Sequence, residues 1–384
     1  MVYIERFYTQ QLLRALERSP SVAVLGSRQC GKSTFVRHIV ENKNAIYLDL
    51  QLPSERNKLN EPEIFFANFR DRLICLDEIQ TQPELFSILR AEIDRDRRPG
   101  RFIFLGSASR DLIKQTKESL AGRIAFVEMT PFLWCEISTR YSLSDYLVKG
   151  GFPESLNLQN ATDSFDWRRD FISTFLERDI PNLGFYIPLS IMQKLWQMLA
   201  HYHGQVINYS KLSGSIDISV VSLKKYISIL EQTYMIRVLQ PYHSNLKKRT
   251  IKAPKIYIRD TGILHGLLNI IDFEALLGHP VIGASWEGLV IENLSQTFYR
   301  WEPSYIRTSN GAELDLLLTQ GNKKIFIECK FSKAPKKSRG FISLQEEIKP
   351  DASYLVAPVE QGYDLDKNTK VRNLTEMMNE IKPD

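Results

Sequence analysis

The sequence predicts an α/β fold, with a parallel sheet flanked by helices in the first third of the chain and smaller modules after it. Four short apolar runs mark that first third, at residues 22–25, 46–48, 73–76 and 102–105. Longer stretches with helical spacing separate these runs, as is typical of parallel strands joined by crossover helices. Short strand-like runs return after residue 234, interleaved with helical stretches.

The composition sets broad limits on the function. The 384 residues are 43% hydrophobic and 25% charged, which is enough chain for two or three domains with their own cores. A net charge of +5 permits a nucleic-acid partner without demanding one. The four scattered cysteines lack the spacing of a metal or redox motif. No apolar run approaches ~18 residues, so we expect a cytoplasmic protein with no membrane partner.

A phosphate-binding loop follows the first apolar run. Residues 26–33 read GSRQCGKS and match the pattern G-x-x-x-x-G-K-[ST], with a helical stretch at 34–40. Glycines let the backbone N–H groups turn toward phosphates, and the helix N-terminus adds positive potential. Lys32 is expected to reach the outer phosphates of ATP, and the Ser33 hydroxyl to ligate Mg²⁺. The predicted nucleotide-binding residues are Gly26, Ser27, Arg28, Gln29, Cys30, Gly31, Lys32, Ser33 and Thr34.

Two carboxylates end the third apolar run, which reads LICLDE at residues 73–78. Beside a complete phosphate loop, Asp77 is expected to hold Mg²⁺ through water. The adjacent Glu78 is expected to polarise the attacking water. An acidic pair that merely caps a strand is the alternative, and the neighbouring loop disfavours it. The sequence therefore predicts ATP hydrolysis.

Two further roles in hydrolysis have candidate residues. The fourth run leads into Gly-Ser-Ala-Ser at 106–109, where Ser107, or alternatively Ser109, is placed to position the lytic water. A turn built from small residues is the competing interpretation. Phosphoryl transfer also uses a positive charge at the leaving phosphates, often from a neighbouring subunit. Arg123 is our candidate, with Arg110 as the alternative, although either is equally compatible with an ordinary surface arginine.

The order of motifs GSRQCGKS, LICLDEIQ, FIFLGSAS, SLAGR, MTPF, GGFPE and LERDI resembles the AAA-type ATPases of bacteria and archaea that have an uncharacterised C-terminal half. The resemblance implies a RecA-like AAA-type P-loop core at residues 1–150 and a helical lid at 151–190. It further implies a winged-helix module at 191–262 and a PD-(D/E)XK nuclease-like α/β domain at 263–384. Such ATPases work as homo-oligomers, with a hexameric ring as one form.

The pattern at residues 191–260 fits a winged helix by itself. Helical stretches at 191–203, 210–215 and 219–233 precede strands at 235–242 and 255–258, which bracket a basic loop. Ser219 is a plausible N-cap for the third helix. Lys224 and Lys225 on that helix would lie near DNA phosphates. The expected wing contacts are Lys247, Lys248, Arg249 and Lys252. Winged helices also serve as protein-docking modules, and this alternative stays open.

The C-terminal segment carries an acidic cluster on a predicted hairpin, with strands at 313–318 and 324–330. Asp315 lies on the first strand, and the period of two puts Glu328 and Lys330 on one face of the second. This pattern resembles the PD-(D/E)XK core. Asp315 and Glu328 would then share a second Mg²⁺ or a Mn²⁺, and Lys330 would orient the water. The upstream helix offers Glu292, which the resemblance favours, or Glu287, which spacing leaves open.

These modules together favour an ATP-driven enzyme that binds and remodels DNA, with branched or junction DNA as one candidate form. Whether the C-terminal domain binds DNA or also cleaves it stays open at this stage. The alternatives are a nucleotide-dependent regulatory or defence switch, and a protein-binding module whose acidic cluster is only structural.

Overall fold

The computed structural model describes residues 3–41, 43–107, 119–182, 185, 187–242 and 250–381. Five of the predicted site residues lie outside this part of the chain: Ser109, Arg110, Lys247, Lys248 and Arg249. The chain divides into two compact units. One spans residues up to 132 together with 232–234, and the other spans 133–231 and residues from 235 onward.

The first unit is built on a five-stranded parallel sheet in the order β2-β3-β4-β1-β5. Its strands are β1 (Ser21–Gly26), β2 (Ala45–Asp49), β3 (Leu73–Asp77), β4 (Phe102–Ser107) and β5 (Ile124–Met129). Its helices are Thr9–Arg18, Lys32–Val40, Pro53–Arg56, Pro62–Asn68 and Leu85–Arg95. The predicted mixed α/β fold with a parallel sheet is confirmed. Every residue of the interior strand β1 is buried, which explains its uninterrupted apolar run.

The edge strand β5 was not predicted. Its burial alternates along the strand, and Phe126 on the open face is 39% exposed. An edge strand with one solvated face lacks the continuous apolar run that marks the central strands. The strand nevertheless matters, because it runs beside β1 and brings Met129 level with Gly26.

The second unit opens with helices Trp134–Ile137, Leu143–Lys149, Pro153–Asn157 and Ala161–Thr174, followed by a π-turn at Phe175–Asp179 and the short helix Ile180–Asn182. The Asp260 carboxylate accepts backbone N–H bonds from Gly151 (2.7 Å) and Ile263 (2.9 Å). It thereby joins the turn between helices Leu143–Lys149 and Pro153–Asn157 to the N-terminus of helix Thr261–Leu267. Residues 133–150, which the sequence analysis assigned to the first domain, lie in the second unit.

A module of helices and short strands follows within the second unit. Helices Leu189–His201, Tyr209–Ser215 and Val220–Gln232 accompany strands β6 (Gln205–Val206), β7 (Ile236–Leu239) and β8 (Lys255–Ile258). The strands form an antiparallel sheet in the order β6-β8-β7. The Ser219 hydroxyl accepts the Ser222 N–H at 3.0 Å, which is the N-cap contact expected for the third helix.

The rest of the second unit is a six-stranded mixed sheet in the order β13-β14-β12-β11-β10-β9. Its strands are β9 (Glu302–Arg307), β10 (Glu313–Gln320), β11 (Lys323–Cys329), β12 (Ala352–Val356), β13 (Tyr363–Asp366) and β14 (Thr369–Arg372). The helices are Phe273–Leu277, Ile282–Thr297, Arg339–Ile348 and Leu374–Glu380. β10 and β11 form the predicted antiparallel hairpin, with Leu316 opposite Ile327. Across the described ranges, we find no helix long and apolar enough to cross a membrane.

Candidate functional site

The phosphate loop lies at the carboxyl end of β1, between two neighbouring parallel strands. Gly26, the last residue of β1, pairs with Ser107 of β4 on one side and Met129 of β5 on the other. A Cβ at Gly26 would lie 2.0 Å from the Met129 carbonyl oxygen, so only glycine fits. Gln29 and Gly31 take positive φ angles of 60° and 95°, which turn the loop back into helix Lys32–Val40.

Lys32 lies folded against this loop. The residue is 8% exposed, and its Nζ donates to the carbonyl oxygens of Gly26 (3.1 Å) and Ser27 (2.7 Å). The ammonium is therefore held against the backbone of the loop.

Arg6 supports the phosphate loop through a hydrogen bond, a role that the sequence analysis did not predict. Its guanidinium is buried, donating from Nη1 to the Cys30 carbonyl at 2.8 Å and from Nη2 to the Thr130 carbonyl at 2.7 Å. The same group lies 4.6 Å from the centre of the Phe132 ring. It therefore ties the loop to the segment that follows β5. Only its charge was visible in the sequence, and an arginine near the N-terminus carries no motif.

The two predicted magnesium ligands of the first unit converge on Tyr47. Asp77 is the last residue of β3 and is 4% exposed. Its Oδ2 accepts a hydrogen bond from the Tyr47 hydroxyl, and its Oδ1 accepts one from the Glu78 N–H at 3.0 Å. The Ser33 side chain lies near enough to the Tyr47 hydroxyl to lower the pKa of Tyr47 slightly, against larger effects that raise it. Burial, followed by the hydrogen bond to Asp77, raises the pKa of Tyr47, so its hydroxyl remains a donor. An Asp carboxylate and a Ser hydroxyl are the oxygen ligands that Mg²⁺ prefers, so these residues fit that ion.

Glu78 and Ser107 lie at neighbouring strand ends, as predicted from the sequence. Glu78 takes a left-handed conformation with φ 55°, and its carboxylate accepts a hydrogen bond from Gln80. This conformation sets its side chain apart from that of Asp77. The backbone of Ser107 lies beside Gly26, at the tip of β4.

Arg123 lies far from the phosphate loop of its own chain. It directly precedes β5, and its carbonyl oxygen accepts the N–H of Ser21, the first residue of β1. The loop follows the opposite end of β1. Arg123 is held by Asp94 through two bonds, from Nε at 2.7 Å and from Nη2 at 2.8 Å. Arg123 is therefore not part of the nucleotide site formed within its own chain.

The C-terminal acids meet on the hairpin as predicted. Asp315 and Glu328 are buried on the paired strands β10 and β11, and Asp315 Oδ2 accepts the Cys329 N–H at 2.8 Å. Lys330 Nζ lies 2.8 Å from Glu328 Oε1, which places these two side chains on one face. Burial and the charges of Glu287 and Glu328 raise the pKa of Asp315 well above its ordinary value.

The prediction that Glu292 joins this cluster is wrong. Glu292 is instead held by Arg237 (Nε to Oε2, 2.8 Å) and by Arg259 (Nη2 to Oε1, 2.6 Å). Burial alone would raise the pKa of Glu292, but the charges of the two arginines outweigh it and lower that pKa to about 2. Glu287 faces the cluster in its place. The two glutamates are five residues apart, which is about 140° around a helix, so only one of them can point there.

Lys255 is the second residue that sequence reasoning missed. It lies on β8 with 1% exposure, and its Nζ is 3.0 Å from Glu287 Oε1 and 2.6 Å from Glu313 Oε1. Asp315 Oδ1 lies 3.9 Å from the same nitrogen. Among the described residues, no three His, Cys, Asp or Glu side chains are arranged to hold a metal ion. Lys255 thus places a positive charge among the carboxylates of this cluster, close to Asp315, which was predicted to hold Mg²⁺ or Mn²⁺.

Comparison with known proteins agrees with the division of the chain. Residues 18–138 match a family described as an AAA domain. Residues 140–274 and 282–377 match two domains of unknown function, DUF8612 and DUF4143. The chain is also 38% identical over 366 residues to an uncharacterised protein of Mycobacterium tuberculosis and to one of Mycobacterium bovis. Each alignment covers 95% of this chain and 82% of the relative.

Solved structures give weaker likenesses. A Walker-type ATPase of Pyrococcus abyssi is 16% identical, with a TM-score of 0.47, and the match covers 69% of this chain and 96% of that one. The RuvB Holliday junction branch migration motor of Thermotoga maritima is 16% identical, with a TM-score of 0.29, over 61% of this chain and 90% of that one.

Proposed function

This chain belongs to the family of the two mycobacterial proteins and carries an AAA domain of the P-loop ATPase type, and from that premise we propose that it hydrolyses ATP to act on DNA. One observation supports ATP hydrolysis: the phosphate loop, Lys32 and the Tyr47–Asp77 pair converge at one end of the sheet. These are groups of the kind that phosphoryl transfer uses.

In the proposed reaction, the loop amides and Lys32 bind the phosphates of ATP. Ser33 and Asp77 would hold Mg²⁺, which neutralises charge on the phosphates when it is bound. Glu78 accepts a proton from the attacking water, and the backbone position of Ser107 suits a residue that orients this water. Arg123 of a neighbouring subunit would stabilise the transition state, so a homo-oligomer, with a hexameric ring as one form, is part of the proposal.

DNA is the proposed partner because exposed lysines gather on the predicted winged-helix module. The element order of the module, with a helix and a short strand, then two helices and two strands, is the order expected of a winged helix. Lys224 and Lys225 are exposed on helix Val220–Gln232, and Lys252 is exposed before β8. Lysines in this arrangement suit contacts with DNA phosphates.

Steady-state ATP turnover, measured without DNA and with single-stranded, duplex and four-way-junction DNA, tests the proposal. We expect at least one DNA form to raise turnover, and we expect Lys32→Ala and Glu78→Gln to abolish it. Lys58→Ala and Glu63→Gln, at exposed positions of the same unit, are the matched controls. Turnover that no DNA form changes would refute action on DNA. Turnover that survives Lys32→Ala would refute the nucleotide site itself.

The DNA surface has a separate test in the salt dependence of binding. Because each phosphate contact contributes about 0.9 to the slope of log affinity against log salt, Lys224→Ala with Lys225→Ala should reduce that slope by about 1.8. Lys194→Ala, an exposed lysine on helix Leu189–His201, is the control and should leave the slope unchanged. An unaltered slope in the double variant would contradict the proposed surface and favour protein docking by this module.

A further inference from the structure

The acidic cluster of the second unit is organised around a buried ammonium group. Lys255 Nζ lies between Glu287 on helix Ile282–Thr297 and the two acidic residues of β10, Glu313 and Asp315. These carboxylates come from different elements, yet all are within 4 Å of this one nitrogen. The Tyr305 ring lies 5.5 Å from the same nitrogen and closes its surroundings further.

Lys255 is held too firmly to be an incidental neighbour. Its side chain is 2% exposed, which an unpaired lysine would not tolerate. The backbone of β8 is fixed by antiparallel pairing with β6 and β7, so the side chain enters the cluster from a rigid strand. Tyr257, two residues further along β8 and on the same face, donates its hydroxyl to Glu287 at 2.5 Å. Two side chains of β8 therefore satisfy the same carboxylate.

We propose that Lys255 is the built-in cation of this cluster and neutralises carboxylates, Asp315 among them, that would otherwise be available to a divalent metal in a nuclease of the resembling fold. An ammonium donates three hydrogen bonds but cannot bind water as a ligand and generate hydroxide, as a metal ion does. A divalent cation placed among the same carboxylates would also be repelled by the charge of Lys255 at short range. The C-terminal domain thus binds its partner without metal-dependent cleavage. Only the identity of that partner as DNA rests on the proposed function.

One atom of the cluster makes the proposal open to a strict test. Glu328 Oε2 is buried and has no hydrogen-bond partner among the residues that the structure describes, while Oε1 of the same carboxylate is paired with Lys330. Together with Asp315 on the neighbouring strand, this oxygen is the first ligand we would expect a cation to take if the cluster bound one. Removal of Lys255 should open a larger site, because Glu287, Glu313 and Asp315 would lose their shared counter-ion.

The experiment titrates Mn²⁺ into the nucleotide-free full-length protein and follows free Mn²⁺ by electron paramagnetic resonance, with the melting temperature as a second readout. We expect no binding to the C-terminal cluster of the wild type up to about 1 mM Mn²⁺. Lys255→Met, which keeps the length and loses the charge, should bind Mn²⁺ and melt at a higher temperature when Mn²⁺ is present. The control Lys255→Arg keeps the charge and should behave as the wild type.

The double variant Lys255→Met with Asp315→Asn locates the site, because it should lose the Mn²⁺ bound by the single variant. If Lys255→Met folds only when Mn²⁺ is supplied, that rescue also supports the proposal. Mn²⁺ binding by the wild type that Asp315→Asn removes would overturn it. So would Mg²⁺-dependent nicking of DNA by the wild type that Asp315→Asn abolishes, and this test requires no variant of Lys255. None of these readouts involves ATP turnover, so the proposal and the ATPase can fail separately.

Discussion

The Glu292→Gln substitution should lower the free energy of unfolding of the second unit by about 3 kcal/mol at neutral pH. Glu292 is 8% exposed and accepts hydrogen bonds from Arg237 Nε at 2.8 Å and from Arg259 Nε and Nη2 at 2.9 and 2.6 Å. Glutamine has nearly the same shape but no charge, so the variant removes the carboxylate that is hydrogen-bonded to both guanidinium groups. Breaking a buried pair in this way costs roughly 3–5 kcal/mol.

The pKa of Glu292 leads to a similar magnitude by a separate route. The pKa falls from 4.5 to about 2, and a difference of this size corresponds to about 3 kcal/mol. Because the pKa is lowered in the folded state, the stabilisation is fully present above pH 4.5. It is lost as the pH falls toward 2. The variant has no carboxylate at this position, so its stability should lack that part of the acid dependence.

Hydrogen exchange in increasing urea, followed on peptides from helix Ile282–Thr297, measures this free energy in the full-length protein. Glu302→Gln, an exposed glutamate at the start of β9, is the matched control and should change stability by less than about 0.5 kcal/mol. If Glu292→Gln changes the free energy of unfolding by less than about 0.5 kcal/mol at pH 7, the two arginines do not need Glu292 as a counter-ion. The assignment of this residue to an ion pair, with Glu287 at the cluster, would then be refuted.

Two further predictions concern the nucleotide site. Tyr47→Phe removes the hydroxyl that donates to Asp77. Because a hydrogen bond to a charged group contributes roughly 1.5 kcal/mol or more, the Mg²⁺ concentration for half-maximal ATP turnover should rise by about tenfold. An unchanged Mg²⁺ requirement would contradict this. Arg6→Met removes both links between the loop and the segment after β5, so nucleotide affinity measured by calorimetry should fall at least tenfold. Arg18→Met, at an exposed position on helix Thr9–Arg18, is its control, and equal affinities would show that the loop holds its shape without Arg6.

Much of the nucleotide site could be predicted from the sequence, because its groups follow directly from local order. The loop joins one strand to one helix, and Asp77 and Glu78 come directly after a buried strand. Parallel strands bring such ends to one edge of a sheet, so the sequence pattern carries most of the geometry. The positions of Glu328 and Lys330 could also be predicted, because side chains two residues apart on a strand lie on the same face.

The charge partners could not be predicted in this way. Arg6 reaches the carbonyl of Cys30, 24 residues away, and that of Thr130, 124 residues away. No periodicity relates such positions. The choice between Glu287 and Glu292 likewise depended on which side of one helix meets the hairpin and which side meets the two arginines.

The sequence by itself therefore determined the α/β core, the phosphate loop, the Asp77–Glu78 pair and the acidic hairpin, because each depends on neighbours along the chain or on the alternation of a strand. Only the tertiary structure decided how the acidic cluster is neutralised. Lys255 enters it from β8, a strand of a different sheet. A buried carboxylate needs a counter-charge, but which charge packs against it depends on how separate elements meet, and residue spacing contains no record of that.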